Sequence, residues 1–335
     1  MSARIESAHG AGGRATNDLV RTVFAPAFAS PWIEAGDDAA RCDLPPATAG
    51  VVVSTDAFVA SPWRFPGGDI GSLAVHGTIN DVAMLGALPR WLTAAFIIEE
   101  GFAIEDLRTV AGSMGAAARA AGVHIVCGDT KVVERGHGDG VFITTTGIGT
   151  PIDGVQVGAA RARSGDRVLV SGPVGDHGAC LMALRAGLGN PPSSDSAAVH
   201  ALVAALAAAG ADALHCLRDP TRGGLAAVLN ELARSSGCGF VVDEAAIPVR
   251  PAVRATCEIL GLDPLDAACE GRLVCVCAPE AAPGLLAALR ASADGAAAAD
   301  IGAAVDGRPL VELRTTIGGR RLIDWRHGGQ FPRIC

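Results

Sequence analysis

Apolar positions along the first 150 residues alternate between two periods, and each change of period marks an element. The β-branched run GVVVSTD (50–56) predicts a strand that ends on an aspartate. DIGSLAVHGTINDVAMLG (69–86) has helical spacing, and WLTAAFIIEE (91–100) reads as a strand. AIEDLRTVAGSMGAAARAAG (103–122) predicts an amphipathic helix closed by glycine. VHIVCGDTKV (123–132) and GVFITTTGIG (140–149) add two further strands.

Small residues and turn formers then take over in TPIDGVQVGAARARSGD (150–166), which marks a domain boundary. The second half opens on the strand RVLVSGP (167–173) and continues with helical patterns at 176–188, 197–210 and 223–236. From Gly271 to Val305 the text reads strand, helix, strand. After about residue 316 the pattern dissolves into TIGGRRLIDWRHGGQFPRIC, which predicts a poorly packed tail. Both halves mix helices with strands, so each is expected to be a sheet layered with helices.

Composition narrows the classes. No apolar run approaches the ~18 residues of a membrane span, and the start MSARIESAHGAGG lacks the apolar core of a signal peptide. A formal net charge of −8 disfavours a nucleic-acid or anionic-membrane partner. Ten cysteines without an export signal read as reduced thiols in a cytoplasm. The 27 basic residues include a single lysine, Lys131. Arginine replaces a surface lysine at little cost, but not one whose compact ammonium must enter a tight site. Lys131 is either such a residue or the last of a drifting composition.

Several aspartates fall beside predicted element ends: Asp37 and Asp38 in GDDAA, Asp56 in STD, Asp81 in INDVA and Asp129 in GDTK. Strand ends share one edge of a sheet, so these carboxylates can converge on a magnesium–phosphate site, although each could equally be a turn. HGAGGRAT offers free backbone N–H groups to a phosphate but is not a P-loop, and a bare glycine-rich terminus would read the same. RDPTRGGLAAVLNEL (218–232) sets Asp219 and Thr221 at a helix start, an anion site or an ordinary cap. Glu270 in ACEGRL precedes a strand and is either a desolvated base or a solvated turn. Cys275 and Cys277 share one face of an apolar strand and lack a second ligand pair, so they read as core. His9 and His137 lie in glycine-rich loops. The chain ends on a cysteine, Cys335, where no prenylation motif can use it.

Together HGAGGRAT, STDAFV, FPGGDIG, GTINDVAMLGALPRW, VCGDTKVV, SGPVGDHGA, RDPTRGG, CEGRLV and the terminal PRIC resemble the HypE family of NiFe-hydrogenase maturation factors. The likeness runs from about residue 8 to 335, and the terminal Pro-Arg-Ile-Cys is its most specific mark. The NDVA and GDTK blocks are shared with aminoimidazole ribonucleotide synthetase, selenophosphate synthetase and thiamine-phosphate kinase. The resemblance implies an α/β (α+β) PurM-like ATP-binding fold. Residues 1–155 would form the ATP-binding half, whose sheet joins that of a second copy in a dimer barrel. Residues 156–316 would form a ferredoxin-like α/β domain and 317–335 a flexible tail.

It also implies a chemistry, ATP-dependent carbamoyl dehydration in the cytoplasm. A carbamoyltransferase, HypF, loads Cys335; ATP and Mg2+ dehydrate the thiocarboxamide to a thiocyanate; and the HypC–HypD complex receives the cyano group for iron. By resemblance, Asp38, Asp56, Asp81, Asp129 and Asp219 match magnesium and phosphate positions. Asn80 and Thr221 lie with them, and His9, Gly10, Gly12 and Gly13 match a segment covering the nucleotide. Lys131 matches a lysine near the thiocarboxamide and Glu270 the base that takes the amide proton. Two rival enzymes are disfavoured: a selenophosphate synthetase would carry a cysteine and a lysine in its first glycine-rich segment, and a thiamine-phosphate kinase has no use for Cys335. A non-catalytic carrier would not need the aspartates.

Overall fold

A computed structural model describes residues 4–10, 14–35, 40, 42–45, 48, 50–324 and 333–335. Asp37, Asp38, Gly12 and Gly13 therefore lie outside the described residues.

The first half contains β1 (Val52–Phe58), the short hairpin β2 (Arg64–Phe65) and β3 (Gly68–Asp69), then β4 (Ala87–Glu99), β5 (His124–Val133) and β6 (Val141–Pro151). Four of these make one sheet in the order β1-β6-β4-β5, antiparallel except for the β4–β5 pair. That parallel pair is bridged by the helix Ile104–Ala120, the crossover such a pair requires. The helix Ile70–Met84 starts on Asp69, whose carboxylate accepts from the N–H groups of Gly71 and Ser72 while the Ser72 hydroxyl closes the box. Such a cap contributes about 1 kcal/mol. This helix is buried along most of its length, because the sheet covers one side and the second half of the chain the other.

The opposite face of the sheet is open in the single chain. Val53, Thr55 and Ala57 alternate outward along β1, and Ile97 lies outward on β4.

The second half adds β7 (Arg167–Val170), β8 (Leu214–Arg218), β9 (Gly239–Asp243), β10 (Val274–Cys277), β11 (Ala299–Val305), β12 (Val311–Arg314) and β13 (Arg320–Ile323). Their order is β13-β12-β9-β11-β7-β10-β8. Within it, β11-β7-β10-β8 is an antiparallel ferredoxin-like core, with helices between β7 and β8 and between β10 and β11. Cys275 and Cys277 are fully buried in β10, as their apolar run predicts. No helix among the described residues is long and apolar enough to cross a membrane.

Three expectations need correction. Asp56, Asp81 and Asp129 sit inside β1, the 70–84 helix and β5, not at their ends, because the surrounding spacing continues through each of them. The region after 316 is not uniformly unpacked: Arg320–Ile323 pairs with β12 and buries Ile323. The chain's last two residues are also buried, Ile334 at 1% and Cys335 at 7% exposure. The tail pairs with the stretch after β1, where the N–H groups of Val59 and Ser61 donate to the carbonyls of Cys335 (3.0 Å) and Arg333 (3.3 Å). Arg333 also pairs with Asp139 at 2.7 Å.

The two halves are joined by a strap, residues 193–199, laid across the 70–84 helix. Asn80 is its clamp. Its amide donates to the carbonyls of Ala197 (2.9 Å) and Glu270 (3.4 Å), and its oxygen accepts from Val199 N–H at 2.8 Å. With both sides of the carboxamide engaged by backbone, Asn80 positions the halves and is not directed at a ligand. Asn80→Ala is expected to destabilise the fold by about 1–3 kcal/mol, since it strands the buried Val199 N–H and the Ala197 carbonyl. A urea unfolding midpoint checks this, and an unchanged midpoint contradicts the clamp.

Candidate functional site

Four carboxylates meet where the 70–84 helix faces the second half. Asp56 points inward from β1, since it is paired with the buried Thr145 of β6. Asp81 lies one turn from the end of the helix and accepts from the Ser54 hydroxyl at 2.9 Å. Asp219 follows β8, and Glu270 precedes β10. Glu270 reaches over the helix at Gly77, where a Cβ would lie 3.9 Å from Glu270 Oε2 and press on the Phe58 ring.

Burial and mutual repulsion dominate here. Burial raises the Asp56 carboxyl, against the pull of Ala57 N–H and of Arg222 at 3.9 Å. Asp81 is raised by burial, with Asp56 adding to the shift and Ser54, Arg218 and Arg222 opposing it. Asp219 is pushed up to about 7, by burial first and by the Asp81 charge second. Glu270 is raised well above the usual carboxylate range by burial, then by Asp219, Asp195, Asp56 and Asp81. Its Oε1 is buried with no hydrogen-bond partner. The cluster thus holds more negative charge than Arg218 and Arg222 offset.

Cys335 enters this cluster from the tail. Burial pushes its thiol up to about 12, and Glu270 is the charge that raises it most, with Arg222 opposing. The terminal sulfur therefore stays a thiol beside the buried acid.

Not every expected residue joins. Asp129 and Lys131 pair with each other at 2.9 Å on the opposite, open face of the sheet, in register with Ala95 and Ile97. The lysine holds the Asp129 carboxyl below its ordinary range. Side chains alternate along a strand, and the inward position between them belongs to the buried Thr130. Both are well exposed, at 63% each. His9 is buried with its ring accepting from Glu6 N–H at 3.0 Å, and Gly10 packs on Val132, where a Cβ would come within 2.3 Å of its backbone nitrogen. His137 sits in an exposed turn. Thr221 makes the turn after Asp219, its N–H on the Asp219 carbonyl at 3.0 Å, and its own carbonyl accepts from Gly224.

Two participants escaped sequence reasoning. Arg222 lies 3.9 Å from Asp56, and RDPTRGG placed it in view without a role. Asp195 holds the Glu270 backbone N–H at 3.1 Å while Arg272 sits 3.6 Å from its other oxygen. Nothing in the local text SSDSAA marks it, because the contact spans 75 residues.

Residues 36–150 match the family described as AIR synthase related protein, N-terminal domain, and residues 163–312 the corresponding C-terminal domain. Over 334 residues the chain is 55% identical to carbamoyl dehydratase HypE of Azotobacter vinelandii, covering 99% of this chain and 97% of that protein. A crystal structure of hydrogenase maturation protein HypE in complex with ATP superposes with a TM-score of 0.93 at 46% identity, covering 98% and 99% of the two chains. A crystal structure of a HypE–HypF complex matches with a TM-score of 0.80 at 44% identity, over 91% and 99%. With the two-domain fold, the carboxylate cleft and the seated terminal cysteine, this likeness along the whole length settles the family: the chain belongs to HypE, among the AIR synthase related proteins.

Proposed function

We propose that this protein is a carbamoyl dehydratase that converts a carbamoyl group on Cys335 into a cyano group at the expense of ATP. The observation that carries the reading is the buried Cys335 sulfur beside Glu270 inside the acidic cleft. The activity named for the relatives and the ATP complex of a structural neighbour support it.

In the reaction, Cys335–S–C(=O)NH2 and ATP become Cys335–S–C≡N, ADP and phosphate. The amide oxygen takes the γ-phosphoryl group, and the phosphate then leaves carbon with that oxygen. Both amide protons leave nitrogen, one to Glu270 and the other with the departing phosphate. Glu270 is the base: the nitrogen becomes acidic only once the oxygen carries phosphate, so a well-placed, water-shielded carboxylate suffices. The raised proton affinity of Glu270 suits this task once the charge around it is offset.

Asp56, Asp81 and Asp219 are oxygen donors that repel one another, the donor set that suits magnesium. No group of three or more His, Cys, Asp or Glu among the described residues is arranged to hold a metal ion by itself, so an ion here would need nucleotide phosphates to complete its ligands. Bound there, magnesium would stabilise charge on the transferring phosphoryl group. Asp38 is expected to join this set, and Gly10, Gly12 and Gly13 to cover the nucleotide with His9.

The reading extends to assembly. The open sheet face, with Val53 56% and Ile97 43% exposed, is the surface that a homodimer would bury. Lys131 and Asp129 lie on that face, so any part they take in the reaction is played across such a contact. HypF would load Cys335, in line with the HypE–HypF neighbour, and a HypC–HypD complex would receive the cyano group. Functionally the chain would divide into residues 1–155, 156–316 and a segment 317–335 that opens with β13 of the second sheet before the terminal tail, and would work in the cytoplasm.

Glu270→Gln is expected to accept the carbamoyl group but to lose dehydration about a hundredfold or more. Phosphate release from ATP by the loaded protein measures this, and a wild-type rate would remove Glu270 as the base. Asp219→Asn tests the charge excess by stability. The Asp219 pKa is raised on folding, so its ionisation costs stability as pH climbs past the unfolded value near 4. Without metal or nucleotide the variant should therefore melt higher than wild type at pH 8. The difference should shrink toward zero by about pH 4. A variant that melts lower at pH 8 would contradict the repulsion.

A further inference from the structure

Beside the cleft lies a fully buried histidine that the reaction above does not use. His177 opens the helix Asp176–Arg185 and has 0% exposure. Its Nε2 is 2.7 Å from the carbonyl of Ile334, the residue before the terminal cysteine. Its Nδ1 is 2.7 Å from the Ser194 hydroxyl, and the Phe65 ring meets the imidazole edge-on at 5.2 Å.

For a neutral ring the donors allow one arrangement. A carbonyl only accepts, so Nε2 carries the hydrogen. Ser194 Oγ accepts from Ser196 N–H at 3.1 Å and is free to give its own hydrogen to Nδ1. The chain Ser196 N–H, Ser194 O–H, His177, Ile334 C=O is satisfied throughout by a neutral imidazole. Burial is also the largest influence on the ring and lowers its proton affinity.

Ser194 belongs to the strap whose next residue, Asp195, holds the Glu270 N–H. Ser194 N–H is itself anchored on the Pro66 carbonyl at 2.8 Å. One short segment therefore fixes both the imidazole that holds the tail and the acid that faces the sulfur. A second reader flanks it: Arg185 donates to the carbonyls of Ser61 and Arg333.

We propose that His177, oriented by Ser194, is a positioning residue that seats the tail by its Ile334 carbonyl and so sets the Cys335 sulfur against Glu270. The role rests on the dehydration reading for its purpose, but the seat itself is a matter of tail position. Because the contact reads backbone, it serves the bare and the carbamoylated cysteine alike. It is absent when the tail is out, so loading does not depend on it.

Two readouts test this on the full-length protein. Iodoacetamide alkylation of Cys335, followed by mass spectrometry of the C-terminal peptide, needs neither carbamoyl group nor ATP. His177→Ala is expected to speed it about tenfold by freeing the buried thiol. The same variant should load normally with the carbamoyltransferase and dehydrate the adduct at least ~10-fold more slowly. His177→Gln, whose amide can still donate to the carbonyl, should recover part of both. Ser194→Ala, a milder change that leaves the imidazole in place, should shift both in the same direction and decides the matter if the alanine variant does not fold. Wild-type alkylation in folded His177→Ala, or in Ser194→Ala, overturns the proposal. If wild type itself never dehydrates its adduct, the reaction assignment fails, and the alkylation rates alone still decide whether His177 seats the tail.

Discussion

The cleft is governed by the burial of several carboxylates close together, with their mutual repulsion added to it. Asp56, Asp81, Asp219 and Glu270 come from a strand, a helix and two loops on both halves of the chain. Burial pushes each toward its protonated form, and neighbouring carboxylates add to the shift of Asp81, Asp219 and Glu270. Folding alone gains nothing from such a cluster; it is a cost that the Asn80 clamp and the surrounding core must offset. Concentrated negative charge of this kind is useful where a cation and phosphates arrive together, because their binding turns the repulsion into attraction. Both halves of the chain build the cluster. The β1–β6–β4–β5 sheet supplies Asp56 and carries the helix with Asp81, and the ferredoxin-like half closes over them with Asp219 and Glu270.

The terminal thiol obeys the same electrostatics. A thiol held near 12 beside Glu270 is a poor nucleophile at neutral pH. Seated, Cys335 cannot readily acquire a group; it can only present one already attached. Under the proposed reaction, loading and dehydration would be separated by position, with the sulfur loaded outside the cleft and processed within it. The tail backbone is held by the N–H groups of Val59 and Ser61, the His177 ring and the Arg185 guanidinium, and the Arg333 side chain adds its own pair to Asp139. Ile334 and Cys335 also pack into the core of the first half, so releasing the tail uncovers apolar surface there.

Much of this was legible in the sequence, and the exceptions have physical causes. Periodicity located the 70–84 and 104–120 helices and the first-half strands to within a few residues, since each has one buried face. Motif resemblance identified Glu270, Asp81 and Cys335, which the fold brings together. What failed was the idea that aspartates near glycines share an edge. Asp56 and Asp129 lie mid-strand, and the alternation of side chains sends one into the cleft and the other to the open face. Asn80 and Asp81 are neighbours in the text but about 100° apart around a helix, so one clamps the strap and the other meets the cleft. Asp195 and His177 act through contacts that span 75 and 157 residues, which no local pattern encodes. The packing of Ile334 was hidden for the same reason: two apolar residues after a polar stretch carry no period.

The most direct test is the intact mass of the protein after loading by its carbamoyltransferase partner, before and after ATP and magnesium are added. The account predicts a carbamoyl adduct that loses one water, with the change confined to the peptide ending in Cys335. An adduct on Cys335 that keeps its water in the presence of ATP would contradict it and leave the cleft without the chemistry assigned to it.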